Sequence, residues 1–343
     1  MSTLLQRRLL LLLLFCPFFI AQSQNENNIL FRNGIRLMQD SNYRAAITVF
    51  DEYLGLDNRS AMAYFHRGTC YLMLKKPSIA LVDFNQTLAL DTMLTETYYN
   101  RALAHQTLKN YTFSEADFLT YKSKKPEDKK VLKNLGMLME EMGDYPQAIV
   151  WYSEYLNYAP QNTEILKKRA LAYSEIHALE PAIKDVNACY RINPSDSSIW
   201  MLKGNIYYDA QSYALAIDAY NLILLNNPGH KEALINRADA FTASLKYEEA
   251  VADYTALSKK DKYNPDYYFN IGFCLLQLNK NEEAILSFGK AMDTDYENLG
   301  LLLTLRGVAY NNLKLQLEAC ADWQKAIEAG YAEAKTYKAN YCK

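Results

Sequence analysis

Four histidines and six cysteines are the side chains of this 343-residue chain best suited to hold a metal or attack a substrate. Their spacing suits neither task. His66, His105, His177 and His230 stand too far apart for two of them to share one face of a helix, and no Cys-x-x-Cys pair occurs. A zinc site or a thioredoxin-like redox pair is therefore not expected. The chain holds no glycine-rich phosphate loop, no Gly-x-Ser-x-Gly elbow and no His-Glu-x-x-His helix. Carboxylates are plentiful, but none forms a pair that one would choose for acid–base work. The formal net charge is −2, and the basic residues form no stripe interleaved with aromatics. These observations argue against nucleic acid as a partner and against an enzyme. No catalytic residue, metal, cofactor or small-molecule substrate is expected.

What the sequence does contain is a period. Gly34, Gly68, Ala102, Gly136, Ala170, Gly204, Ala238 and Gly272 fall 34 residues apart without a gap. Twelve positions on, a second column reads Ala46, Ala80, Ser114, Ala148, Ala182, Ala216, Ala250 and Ala284. Four further on stand Phe50, Phe84, Phe118, Tyr152, Val186, Tyr220, Tyr254 and Phe288. After one inserted residue a ninth unit places Gly307, Ala319 and Trp323 in the same columns. Each unit carries apolar residues at i, i+3, i+4 and i+7 in two stretches, which predicts a helix hairpin. Two helices that cross at about 8–10 Å need a small residue at the contact, and the aromatic fills the space beside it. Pro126, Pro160, Pro194 and Pro228 punctuate the ends of second helices. One hairpin cannot bury its own apolar faces, so the units must stack in a row.

The order small, small, aromatic, Pro at this period resembles the tetratricopeptide repeat (TPR). The stretch from Asn134 to Pro160, NLGMLMEEMGDYPQAIVWYSEYLNYAP, follows that pattern nearly throughout. The resemblance implies an all-α fold, an α-solenoid wound as a right-handed superhelix. It places nine hairpins at 27–60, 61–94, 95–128, 129–162, 163–196, 197–230, 231–264, 265–298 and 300–333, with a capping helix at 334–343. Departures fall in the first two repeats, where Asn58 and Thr92 stand in place of the terminal Pro, and in the last three.

Comparison of the units with one another picks out two polar patterns. The residue before the small column is Arg67, Arg101, Arg169, Arg237 and Arg306 in five repeats. In the same five, the residue before the aromatic is Asp83, Asp117, Asp185, Asp253 and Asp322. The other four repeats have neither; Leu135 faces Trp151 and Ile271 faces Ser287, for example. Residues that come and go together predict structural ion pairs between the two helices of one hairpin. In the TPR family the first helix of each repeat lines a concave groove that takes a peptide. The resemblance therefore makes Asn100, Asn134, Asn236 and Asn270, two before the small column, candidate ligand contacts. An amide donates and accepts at once, which suits the backbone of an extended chain. The ladder is interrupted by Lys168 and Leu202. Beside it runs a varied row that includes Phe65, Tyr99, Lys133, Lys167, Met201, Ile235 and Phe269. Tyr99, Lys133, Lys167 and Phe269 join the asparagines as groove candidates. The ordered Lys, Asn and Arg positions of the family's carboxylate clamp are not reproduced.

Two further expectations concern the ends. Arg7 and Arg8, the apolar run Leu9–Ile20 and the tripeptide Ala21-Gln22-Ser23 read as a signal peptide over 1–23, cleaved after Ser23. Its rival is an uncleaved anchor. The apolar run is shorter than the roughly 20 residues that a bilayer requires. This points to an exported bacterial protein, periplasmic or associated with the outer membrane, touching the membrane only through an envelope partner. The leading function is a non-catalytic scaffold for a protein or extended peptide. The alternatives are a spacer or assembly subunit of an outer-membrane or secretion complex, or a periplasmic chaperone. Oligomeric state is left open. Cys320 and Cys342 lie eleven residues either side of Tyr331, where the turn into the capping helix is expected. An antiparallel hairpin would bring them level for a disulfide; a buried Cys320 beside a frayed, free Cys342 is the alternative.

Overall fold

The computed structural model describes residues 28–342. The expected signal peptide at 1–23 lies outside the described residues. Among those described there is no strand, and eighteen helices follow the first, residues 28–39, labelled α1. By contact the chain divides into two compact units, Met1–Pro160 and Gln161–Lys343.

The described part of the first unit holds four hairpins. They are α1 with α2 (Tyr43–Leu56), α3 (Ala61–Met73) with α4 (Pro77–Leu90), α5 (Glu96–Thr107) with α6 (Tyr111–Lys124), and α7 (Lys130–Glu141) with α8 (Tyr145–Tyr158). The second unit holds five: α9 (Thr163–Glu175) with α10 (Leu179–Ile192), α11 (Ser197–Asp209) with α12 (Tyr213–Asn226), and α13 (Lys231–Ala243) with α14 (Tyr247–Lys260). Then come α15 (Pro265–Gln277) with α16 (Asn281–Asp293), and α17 (Leu299–Asn312) with α18 (Gln316–Glu328). A last helix, α19 (Ala334–Tyr341), packs on α18. Within each unit every helix packs on its neighbours in sequence, as a stacked row of hairpins requires.

All three sequence columns are buried in every repeat. The small residue is small because the aromatic lies on it. A methyl group added to Gly68 would stand 2.9 Å from the Phe84 ring, and one on Gly272 would stand 2.8 Å from Phe288. Ser114, in the alanine column, satisfies its hydroxyl by donating to the Ala102 carbonyl at 2.9 Å. Each second helix before a proline stops two residues short of it: α6 ends at Lys124 before Pro126, and α8 at Tyr158 before Pro160. The residue preceding a proline is driven out of the helical region, so the helix must end there.

The turn inside each hairpin carries a feature that the periodic columns do not show. Seven residues after the small column the backbone enters the left-handed region: Ser41, Lys75, Lys109, His177, Gln211, Leu245, Asn279 and Lys314 all have φ between 57° and 64°. Only the fourth repeat has a glycine there, Gly143 at φ 77°. Two backbone bonds close each such turn; in repeat 7 they run from Leu245 N–H to the Thr242 carbonyl and from Lys246 N–H to the Phe241 carbonyl. This is the Schellman arrangement, which occupies carbonyls that the helix end would otherwise leave bare.

Candidate functional site

The five Arg–Asp pairs are two-armed. In repeat 2, Arg67 donates from Nε and one terminal nitrogen to the two Asp83 oxygens at 2.9 and 2.6 Å. Arg101–Asp117, Arg169–Asp185, Arg237–Asp253 and Arg306–Asp322 repeat the fork at 2.6 to 2.8 Å. The five aspartates are buried. A planar guanidinium matches a carboxylate in this way and lysine cannot. A third arm was not evident from the columns. The other terminal nitrogen of Arg67 reaches Asp51 at 2.7 Å, that of Arg101 reaches Asn85 at 2.9 Å, and that of Arg237 reaches Asn221 at 2.6 Å. Each acceptor follows the aromatic of the preceding hairpin. The arginine thus ties its own hairpin together and also ties it to the one before. Lys203, in the arginine column of repeat 6, keeps only the outward arm, donating to Asn187 at 3.0 Å. Burial lowers its pKa from the usual lysine value.

The asparagine ladder is partly occupied by the protein itself. Asn100 donates to Thr69 Oγ1 at 3.1 Å, and Asn134 donates to the Tyr99 hydroxyl at 2.5 Å. Asn236 donates to Asn205 Oδ1 at 2.9 Å. All three partners belong to the preceding first helix, so these amides stitch first helix to first helix. No partner for the Asn270 side chain occurs among the described residues. The other groove candidates are half-buried and also packed. Tyr99 stands edge-on to Phe118 at 5.6 Å, with the Lys130 ammonium 4.4 Å from its ring centre. Phe269 stacks on Tyr296 at 4.4 Å. Lys167 bonds Asp196 and Ser198, each at 2.7 Å, and the bond from Lys167 holds the Asp196 carboxyl below the usual carboxylate range. Lys133 is half-buried on α7.

At the end of the second unit, Cys320 and Cys342 are joined by a disulfide with their Cα atoms 5.8 Å apart. Around it Tyr337 stacks on the buried Trp323 at 5.6 Å, and Gln316 donates to the Tyr341 carbonyl. Cys70, Cys189 and Cys274 are free and buried. Burial pushes the Cys70 and Cys189 thiols up, to about 12 and about 11, which makes them poor nucleophiles.

Among the described residues, cavities open beside the first helices and their turns. In the first unit one of about 260 Å³ is mainly apolar, between Met62, Phe65, Met93 and Leu94, with Thr97 and Lys125 beside them. The second unit has one of about 390 Å³ around Ser174, His177 and Asp209. Another, of about 230 Å³, lies between Asn205, Tyr208, Asp209, Tyr220, Asn236 and Asp239. Of its six lining residues only Asn236 stood out in the sequence as a candidate contact. Asn205 and Asp239 were recognisable only as polar residues in a column that is mostly apolar. Among the described residues no group of three His, Cys, Asp or Glu side chains could hold a metal, and no helix is long and apolar enough to cross a membrane.

The family model for the tetratricopeptide repeat matches residues 31–91, 176–231 and 235–297. Solved structures resemble the chain at low identity and so speak for the fold alone. A tetratricopeptide repeat protein from Parabacteroides merdae is 22% identical with a TM-score of 0.52, over 69% of this chain and 94% of that one. The C-terminal part of a TPR repeat-containing protein from Cytophaga hutchinsonii is 17% identical with a TM-score of 0.63, over 70% and 99%. No curated protein matches the chain. Repeat columns, hairpin geometry and a family match over more than half the length agree: the chain belongs to the tetratricopeptide-repeat family.

Proposed function

We propose that this protein is a non-catalytic scaffold, exported to the bacterial envelope, that holds a protein or extended peptide against the first helices of its repeats. The TPR fold is in general a scaffold for protein–protein interaction. One observation carries the reading further. The packing columns hold the same kinds of residue in every repeat, whereas the half-buried first-helix row changes from Phe65 to Tyr99, Lys133, Lys167, Met201, Ile235 and Phe269. Close packing of the columns requires uniformity, whereas the varied row is packed only in part and keeps a solvent-facing side that a partner can meet. Half-buried, varied polar, apolar and aromatic side chains on a rigid frame suit recognition rather than chemistry.

A photo-reactive phenylalanine analogue placed at Phe65, Met201 or Ile235 tests this in cells. Adducts with a common partner are expected there and not from Val82 or Leu225, exposed residues of second helices. Adducts from the second-helix positions alone would replace the reading with that of a stacking spacer. Adducts from neither set would remove it. Export rests on Arg7, Arg8, the run Leu9–Ile20 and Ala21-Gln22-Ser23. The protein of the envelope fraction should begin at Gln24, and an intact Met1 in the cytosolic fraction would overturn export.

A further inference from the structure

The residue just after the small contact is apolar in six hairpins: Ile35, Leu103, Met137, Leu171, Phe273 and Val308. Repeats 6 and 7 replace it with Asn205 on α11 and Asp239 on α13, side by side in the second unit. A carboxylate turned toward a packed interior is unfavourable unless something compensates its charge. Asp239 has no such compensation from the protein. Its bond is from the Tyr254 hydroxyl, and burial pulls its carboxyl above the usual range. Satisfying a phenol does not require a charge: Tyr220, the equivalent of Tyr254, donates to the neutral Asn205 at 2.8 Å. The negative charge at position 239 is therefore left without a purpose inside the fold.

The surroundings give it one. Asn205 Oδ1 already accepts from Tyr220 and Asn236. Asp239 Oδ2 and the side-chain Oδ1 of Asn236 have no protein donor among the described residues. With the exposed Asp209 and the Tyr208 ring they line the cavity of about 230 Å³. Its walls offer two carboxylates, an amide oxygen and an aromatic face, so the complement is a cation with several N–H donors on an apolar stem.

We propose that this cavity takes the ammonium or guanidinium end of a lysine or arginine side chain of a partner polypeptide. The inference rests on the scaffold reading and names what one part of that scaffold recognises. An arginine or lysine stem would pass Tyr208, while its head would meet Asp209 at the mouth and Asp239 within.

A display library of random peptides, panned on the mature protein and on its Asp209→Asn/Asp239→Asn variant, is the test. Asparagine keeps the size of the side chain and an oxygen for Tyr254, and the fold of the variant is checked by thermal melting. The wild-type protein is expected to enrich Lys or Arg at one position of the selected peptides, by roughly tenfold over the library, the scale of one charge-assisted bond. The variant should still select peptides but lose that enrichment. Equal Lys and Arg frequencies in the two selections would overturn the cation site and leave the scaffold reading standing. Failure of both proteins to select any peptide would remove the peptide-holding reading and the inference with it. Should the double variant not fold, Asp209→Asn alone, at an exposed residue, makes the same comparison.

Discussion

Repeats 4 and 7 are the same hairpin built in opposite ways. Both set a small residue, Gly136 or Ala238, against a buried tyrosine, Tyr152 or Tyr254. In repeat 4 the clamp between the helices is apolar, with Leu135 fully buried at the position of the arginine and Trp151 at that of the aspartate. Its turn is relaxed, because Gly143 takes the left-handed backbone at no steric penalty. In repeat 7 the clamp is Arg237 forked onto Asp253 with a third arm to Asn221, and the turn places Leu245 at φ 62°. The two still form the same pair of turn-closing backbone bonds. The lesson is that neither the ion pair nor the glycine makes the hairpin. The small and aromatic columns do, and they are rigid enough to hold a leucine in a strained turn. What the ion pair adds is a fixed partner and register for each helix, since a buried charge tolerates no other neighbour.

The largest effect should come from breaking the clamp of repeat 7. Asp253→Ala leaves Arg237 facing a buried void and should lower stability by about 3 kcal/mol, near the low end of the 3–5 kcal/mol seen for halved buried pairs. The low end applies because Arg237 keeps 21% of its side-chain surface in solvent and retains Asn221. Adding Arg237→Leu should recover part of the loss, converting repeat 7 toward the clamp of repeat 4. Denaturant melts of the double-mutant cycle measure this, and strictly additive losses would show that the clamp residues do not interact.

At the end of the second unit a covalent tie stands beside the packing that serves alone elsewhere. Repeat 9 carries both the Arg306–Asp322 clamp and the disulfide to α19. For a sequence separation of 22 residues the chain-entropy model gives about 3 kcal/mol. Cys342→Ser should cost up to that amount, with faster amide exchange confined to α18 and α19. Unfolded protein lacking residues 1–23 should show three free thiols, from Cys70, Cys189 and Cys274, and five would exclude the bond.

Acid should act on the first unit through His66, which occupies the column of the asparagine ladder in repeat 2. The ring stacks on Phe50 at 5.8 Å, and burial lowers its pKa from 6.5 to about 4. The unfolded chain takes up the proton near pH 6.5 and the folded one only near pH 4. Stability is therefore lost as pH falls through that window. At 1.36 kcal/mol per unit, discounted for the partial solvent contact, the loss is roughly 1–2 kcal/mol. His66→Gln should flatten the pH dependence of the melting temperature between 7 and 4.5; an unchanged slope would assign it to other groups.

The smallest effect is a gain. Leu245→Gly gives repeat 7 the relaxed turn of repeat 4. Leu245 is 70% exposed, so little packing is lost. Relief of the left-handed strain should raise stability by about 1 kcal/mol, read from the denaturation midpoint. A loss would mean that its side chain supports the turn.

Much of this architecture can be read without coordinates. Columns recur at 34 residues because the same close helix contact recurs, and a contact that close admits only Gly, Ala or Ser. The five Arg–Asp pairs are legible for a related reason: a buried charge cannot be kept without its partner, so the two appear together. The hairpin turns are not legible, since the left-handed position accepts Ser, Lys, His, Gln, Leu or Asn once packing enforces it.

The sequence by itself therefore determined the repeat, its helices and the residues that must touch inside one hairpin, because local period and mutual dependence leave a mark in every copy. Only the tertiary structure decided what passes between hairpins. The third arm of Arg67, Arg101 and Arg237, the amides of Asn100, Asn134 and Asn236 bonded to the preceding first helix, and the cavity around Asp239 all join residues of different copies. Several of these residues do fall in columns, but a column does not say which residue of the next copy its side chain meets, and stacking alone brings those partners together.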